Sequence, residues 1–232
     1  MRQLLFEIKE NRPLTKDIME MVLAGDTSDI TRPGQFVNIK LDGLYLRRPI
    51  SVCDSEEGKL TLIYKVVGKG TEQMRDMTEG TLDILSSLGN GYDTSISGEK
   101  PLLIGGGVGV PPLYMLAKKL IAEGKKVSVI LGFNTKDEIF YEDEFKALGA
   151  SVAVTTVDGS YGTKGFVTDA LDKFEYTYTY SCGPEPMLKA VYKACTTDGQ
   201  FSFEERMGCG FGACMGCSCK TITGYKRICK EG

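Results

Sequence analysis

Close to the C-terminal end, the stretch Cys209-Gly-Phe-Gly-Ala-Cys214-Met-Gly-Cys217 sets three thiols at C-x4-C-x2-C spacing, and Cys229 follows as a fourth. This is the plant-type [2Fe-2S] pattern, in which thiolates hold both irons while glycines let the backbone turn tightly around the sulfides. Gly210, Gly212, Ala213 and Gly216 lie among these cysteines, so the loop leaves room for an inorganic core and can aim N–H groups at its sulfur. Zinc is the competing reading. Structural zinc sites usually pair their ligands as two C-x2-C knuckles, and here only one such pair exists, which favours iron-sulfur. In an extended segment Cys219 shares a face with Cys217, yet Cys217 keeps the x2 spacing, so Cys219 is read as a bystander. Cys53, Cys182 and Cys195 are scattered through apolar patterns, and a disulfide framework is the weakest of the three readings.

The 232 residues, 42% of them hydrophobic, suffice for two compact domains and a small appendage. A net charge of −3 with interspersed lysines and acids argues against a nucleic-acid partner. The apolar run at the N-terminus meets charge at once, as a signal peptide does not. The most hydrophobic window, Leu102 to Leu120, is broken by Gly and Pro, so no membrane span is expected. A cytoplasmic protein with reduced thiols is expected. The chain has no histidine, which removes Rieske ligation, His-zinc hydrolysis, Ser-His-Asp chemistry and His acid/base catalysis together. No catalytic residue is assigned.

Residues 1–99 read as short β-rich runs: Leu4 to Lys9, Asp17 to Leu23, Gln35 to Lys40, Ile50 to Cys53, Lys59 to Val67 and Thr81 to Leu85. With turn signals between them, such runs predict a small antiparallel barrel or sandwich. Within it, Arg48-Pro49-Ile50-Ser51 offers a guanidinium fork suited to pyrophosphate and a hydroxyl three residues on. Ile63-Tyr64-Lys65 ends a strand, and Gly68-Lys-Gly70-Thr71 opens a helix through Met77, a place where unpaired N–H groups can meet a phosphate. Here the sequence resembles the ferredoxin reductase-like flavoproteins, whose N-terminal antiparallel β-barrel holds FAD through an R-P-x-S segment. The resemblance implies Arg48 and Thr71 near the FAD diphosphate, and Ser51 with the Ile63 to Lys65 strand near the ribityl and isoalloxazine. Leu88-Gly89-Asn90-Gly91-Tyr92 fits the linker that follows the barrel in that family.

Residues 100–200 alternate strand and helix, the pattern of an α/β parallel-sheet nucleotide-binding domain with ligands at the carboxyl ends of its strands. Pro101 to Ile104 predicts a buried strand running into Gly105-Gly106-Gly107-Val-Gly109-Val-Pro-Pro112, then a helix with apolar residues at Leu113, Leu116, Ala117, Leu120 and Ile121. Strands over Val127 to Phe133, Ser151 to Val157 and Tyr176 to Tyr180, with helices over Glu142 to Leu148 and Glu185 to Cys195, complete the set. The glycine loop departs from G-x-G-x-x-G, because the third glycine comes early, and no acid ends the second strand. Both departures fit the reductase family, whose glycine loop and Cys-Gly-Pro turn, here Cys182-Gly183-Pro184, frame the nicotinamide. Asp158-Gly159-Ser160 and Gly162 to Gly165 look like a ribose-side loop. No arginine pair follows the second strand, so NADH is expected over NADPH.

Residues 201–232 follow without a Pro or Gly linker, as a small C-terminal [2Fe-2S] module expected to pack on the other domains. The module order and the run Glu205-Arg-Met-Gly-Cys209 through Cys217 resemble the electron-transfer subunits of NAD-dependent dihydroorotate dehydrogenases. That resemblance implies an oxidoreductase subunit with FAD, NAD and [2Fe-2S], the cluster on Cys209, Cys214, Cys217 and Cys229. It also implies a separate FMN-containing catalytic subunit that oxidises dihydroorotate in pyrimidine biosynthesis, the two forming a heterotetramer. Family members commonly run past the position of Gly232 into an apolar tail, so either a contact to the partner is expected to be missing here or the chain has been trimmed. Two other readings stay open. One is a related subunit of a ferredoxin:NADP oxidoreductase or sulfide dehydrogenase complex, and the other a zinc-containing, non-catalytic nucleotide-binding module.

Overall fold

The computed structural model describes residues 1–231; the expectation about the chain end at Gly232 lies outside the described residues. Two compact units divide the chain, Met1–Gly91 with Glu204–Gly232 in one and Tyr92–Phe203 in the other.

In the first unit the strands are β1 (Arg2–Pro13), β2 (Ile18–Ala24), β3 (Phe36–Ile39), β4 (Arg48–Glu56), β5 (Lys59–Lys65) and β6 (Thr81–Leu88), with helix α1 (Lys69–Arg75) between the last two. They close into an antiparallel barrel in the order β1-β2-β5-β4-β3-β6, which removes free sheet edges. Alternation builds its core: β6 buries every second residue, Leu82 and Ile84 among them, and Phe6, Leu23, Val37 and Leu62 of the other strands are fully buried as well. Strand β4 is longer than the apolar run Ile50 to Cys53, because ladders to β3 and β5 hold its polar flanks. β3 departs from alternation. All four of its residues are buried, because the C-terminal tail covers its outer face.

That tail forms a hairpin of β13 (Ser218–Thr221) and β14 (Gly224–Arg227), followed by the one-turn helix α5 (Ile228–Glu231). Cys217, Ile228 and Cys229 pack with Phe36 and Leu88 of the barrel, and Leu85, Met207 and Cys219 border them.

The second unit contains β7 (Pro101–Gly106), α2 (Pro111–Ala122), β8 (Ser128–Phe133), α3 (Glu142–Ala147), β9 (Ser151–Thr156), β10 (Thr163–Lys164), β11 (Tyr178–Cys182), α4 (Glu185–Ala194) and β12 (Gly199–Ser202). The sheet is parallel throughout, in the order β10-β9-β8-β7-β11-β12. β7 and β11 are buried along their whole length, as helix-covered parallel strands are. From β7 the chain winds outward through β8, β9 and β10, then returns to lay β11 on the other side of β7. The order reverses between β7 and β11, and a ligand crevice belongs at the carboxyl ends of strands at such a switch point. The strand predicted over Tyr176 to Tyr180 runs instead through Cys182, so this cysteine ends the strand and lies before the turn.

Candidate functional site

The four tail thiols gather as two pairs. Cys209 and Cys214 exchange backbone-to-sulfur hydrogen bonds, Cys209 N–H to Cys214 Sγ at 3.3 Å and Cys214 N–H to Cys209 Sγ at 3.4 Å. Ala213 N–H adds a bond of 3.2 Å to Cys209 Sγ, and Gly216 N–H one of 3.4 Å to Cys214 Sγ. Burial alone would raise the Cys209 thiol, yet the backbone N–H groups of Cys214, Phe211 and Ala213 outweigh it and bring it down to about 6. The second pair is more deeply set. Cys229 donates its N–H to Cys217 Sγ at 3.5 Å, and burial, then the adjoining Cys217, push the Cys229 thiol up to about 11. Among the described residues, no three Cys, Asp or Glu groups gather so as to hold a single metal ion. Two pairs, one per iron, fit a two-iron core better than the single tetrahedral centre that zinc requires. Cys219 stands on β13 at the border of the apolar group around Cys217 and Cys229, and its thiol donates to the carbonyl of Lys220 at 3.8 Å.

On the barrel, Arg48, Pro49, Ile50 and Ser51 form the opening of β4 and are all half-buried, in contrast to the closed Val52-Cys53 that follows. Adjoining β5 carries Ile63, Tyr64 and Lys65 at its end. The Arg48 side chain lies over Gly70, in the space a Cβ there would need, so β4 and the first turn of α1 are in contact. Thr71 is committed locally: its Oγ1 accepts from Val67 N–H at 2.9 Å and Gly68 N–H at 3.2 Å and donates to Gly68 O at 3.0 Å. Lys65 pairs with Asp17 at 2.9 Å. The Tyr64 hydroxyl donates to Asn11 Oδ1 at 3.1 Å, and Asn11 Nδ2 in turn reaches the carbonyls of Met74, Arg75 and Met77 at 2.8, 3.1 and 2.8 Å. Tyr64 therefore offers a bound molecule its backbone, since its side chain is spent on closing α1.

At the switch point the structure joins the two nucleotide motifs. Cys182 is in register with Gly105 across β11 and β7, and a Cβ on Gly109 would run into the carbonyl of Cys182. Gly106 faces Met187 and Pro184 in the same way, with the nearest ideal contact, Met187 Sδ, at 2.5 Å. Gly107 stands apart with φ +52° and nothing crowding it, a free face on the crevice side of the loop. Further along the sheet, Asp158 Oδ1 accepts from Ser160 N–H at 2.9 Å and from Ser160 Oγ at 2.6 Å. The hydroxyl and N–H of Ser160 hold the Asp158 carboxyl below its usual range. Ser160 Oγ also takes the Lys136 N–H at 2.8 Å, tying the loops after β8 and β9 together.

Residues 103–193 match the oxidoreductase NAD-binding domain, and residues 204–232 match the iron-sulfur cluster binding domain of dihydroorotate dehydrogenase B. Over 97% of its length the chain is 47% identical to the dihydroorotate dehydrogenase B (NAD(+)) electron transfer subunit of Fusobacterium nucleatum subsp. nucleatum, covering 93% of that relative. The chain belongs to this family of electron transfer subunits. A second member, from a Geobacillus species, is 43% identical across 100% of this chain and 96% of its own. Within the family's architecture the four-cysteine tail is an iron-sulfur domain, which overturns the zinc reading. The structure of an NADH-dependent reduced ferredoxin-NADP oxidoreductase, described for flavin-based electron bifurcation, is 33% identical with a TM-score of 0.87, over 98% of this chain and 86% of that one. The cytochrome b5 reductase domain of Ulva prolifera nitrate reductase shares the fold alone, with a TM-score of 0.70 at 18% identity over 85% and 97% of the two chains.

Sequence reasoning passed over two residues that organise these sites. Asn11 closes α1, and Asn38 of β3 donates from Nδ2 to the Cys209 carbonyl at 3.0 Å. The available signal for Asn38 was an amide set in the apolar run Phe36-Val-Asn-Ile39.

Proposed function

We propose that this chain passes electrons between a nicotinamide nucleotide and the FMN of a separate dihydroorotate-oxidising subunit, as a step of pyrimidine biosynthesis. Three ligand sites follow from the domain reading: FAD on the barrel of residues 1–99, NAD(H) on residues 100–200 and [2Fe-2S] on residues 201–232. A flavin supplies exchange of electron pairs with the nicotinamide, and a two-iron cluster supplies one-electron transfer.

The protein's share is placement. Arg48 brings a fixed cation to the diphosphate end of the flavin, and Ser51 brings a hydroxyl to its polyol. Gly70, bare of side chain, and the Thr71 turn complete that end, while Pro49 and Ile50 with the Ile63 to Lys65 backbone line the ring. Gly105, Gly106, Gly107 and Gly109 keep the β7 loop low over the crevice, and Cys182, Gly183 and Pro184 close its far side. Cys209 with Cys214 would hold one iron and Cys217 with Cys229 the other. The Asp158 carboxylate, held in place by Ser160, disfavours a 2'-phosphate and so supports NADH over NADPH. No acid or base is assigned, and the electron route needs none.

The single observation that carries this reading is the likeness to the named electron transfer subunits along nearly the whole chain. The pairing into a heterotetramer with the catalytic subunit, the absence of nucleic-acid and membrane partners and the cytoplasmic location belong to the same proposal. Among the described residues no helix is long and apolar enough to cross a membrane. Anaerobic purification tests it. Equimolar flavin, two irons and two sulfides per chain are expected, with bleaching of the flavin by NADH; a colourless protein holding zinc would end the proposal. The likeness to the ferredoxin-NADP oxidoreductase structure favours a second reading, a subunit serving that kind of complex. Co-purification with an FMN protein that oxidises dihydroorotate decides for the first, and failure to reduce NAD(+) from dihydroorotate decides against it.

A further inference from the structure

We infer that Asn38 is a positioning residue for the iron-sulfur loop: its buried side-chain amide pins the Cys209 carbonyl and fixes the first pair of thiols on barrel strand β3. The inference rests on the cluster reading proposed above and assigns a role outside the ligand set.

Asn38 is 1% exposed. Its Nδ2 makes the 3.0 Å bond to Cys209 O, while its Oδ1, equally buried, has no hydrogen-bond partner among the described residues. A leucine of similar size would fill this place with no orphaned oxygen, so the amide is explained by the bond it donates. The loop is shaped to receive it. Gly210 has φ +79°, and a Cβ there would lie 2.6 Å from Asn38 Nδ2, so the close approach requires the glycine.

The strand beneath is itself anchored. Arg47 Nη1 donates to Asn38 O at 3.3 Å and to Asp83 O at 3.0 Å, and Arg47 Nη2 pairs with the Asp83 carboxylate at 2.9 Å. Phe36, two residues before Asn38 and so on the same strand face, packs with Cys217 and Cys229. Alternate residues of one strand thus seat both thiol pairs, Asn38 under Cys209 and Phe36 under Cys217 and Cys229. Opposite Asn38 in the ladder stands Pro49 of the proposed flavin motif. Freed from Asn38, the Cys209 segment would loosen the N–H bonds it and its neighbours make to sulfur. Those bonds favour the more negative, reduced state of a thiolate-held cluster, so their loss lowers its potential.

The test compares Asn38→Leu with the native sequence in the whole chain, purified anaerobically with the subunit it binds, reading flavin content, the electron paramagnetic resonance of the reduced cluster and its midpoint potential against the flavin's. Expected for Asn38→Leu are unchanged flavin content, a shifted or broadened resonance and a more negative cluster potential. Native resonance and potential in Asn38→Leu would overturn the inference. If Asn38→Leu fails to fold, Gly210→Ala disturbs the same contact from the loop side: the same shift supports the inference, and native values overturn it. Native protein that binds no iron would overturn the cluster reading itself, an outcome separate from a variant that matches a loaded native protein.

Discussion

At Gly109 one methyl group decides whether two loops fit, because the atoms in its way are the backbone of Cys182 and Gly183 and cannot swing aside. Gly109→Ala is expected to cost about 1–3 kcal/mol of stability through overpacking. By displacing the crevice floor it should also slow NADH-driven flavin bleaching by about a hundredfold, which thermal melts and stopped-flow absorbance would measure. Among the thiols, the proposed two-pair arrangement separates ligands from neighbours. Serine in place of Cys209, Cys214, Cys217 or Cys229 should abolish the visible iron-sulfur absorbance. Cys219→Ser should keep full iron and sulfide, since the Cys219 thiol is turned to the adjoining Lys220 carbonyl. Loss of the cluster in Cys219→Ser would refute the 2 + 2 assignment.

Within the elements, helix α1 is a single short piece with its end closed by a side chain from another strand. Asn11→Ala leaves the carbonyls of Met74, Arg75 and Met77 and the hydroxyl of buried Tyr64 to find other partners. A loss of about 2 kcal/mol is expected from a chemical denaturation curve. Burial pushes Tyr64 up to about 12 from 10.0, so the folded state holds this proton more tightly than the unfolded chain. Its contribution is fully present below pH 10 and fades as the pH rises through 12; Tyr64→Phe should flatten that alkaline decline in stability. Much of this architecture is legible in the sequence. β2, β5, β7, β8 and β9 follow from apolar runs with β-branched residues, and the switch-point loops from Gly105 to Pro112 and Cys182 to Pro184. The polar pieces are not. β12 begins at a glycine, β13 and β14 form a mostly polar hairpin, and α5 is one turn long, so each is set by what it packs on rather than by local preference. For the same reason the amide in the apolar run Phe36 to Ile39 marks Asn38 as unusual without disclosing its role: only the tail, folding back from far along the chain, makes both faces of β3 interior.

For the whole molecule, the two units have cores that share no residue, and only one of them contains the cluster thiols. Cys217 and Cys229 lie inside the apolar group formed with Phe36, Leu88 and Ile228, so free energy of metal binding is also free energy of barrel packing. The parallel-sheet unit has its own core, built on Leu102, Ile104, Ile130, Val167, Ala170 and Val191. Stripping iron with a chelator under mild oxidation should therefore lower one calorimetric transition by several degrees, on the scale of about 4–8 °C per kcal/mol for a domain of this size. The other transition should stay in place, and added NADH should raise it alone. If both transitions move together when iron is removed, the cluster supports more of the chain than the barrel it rests on.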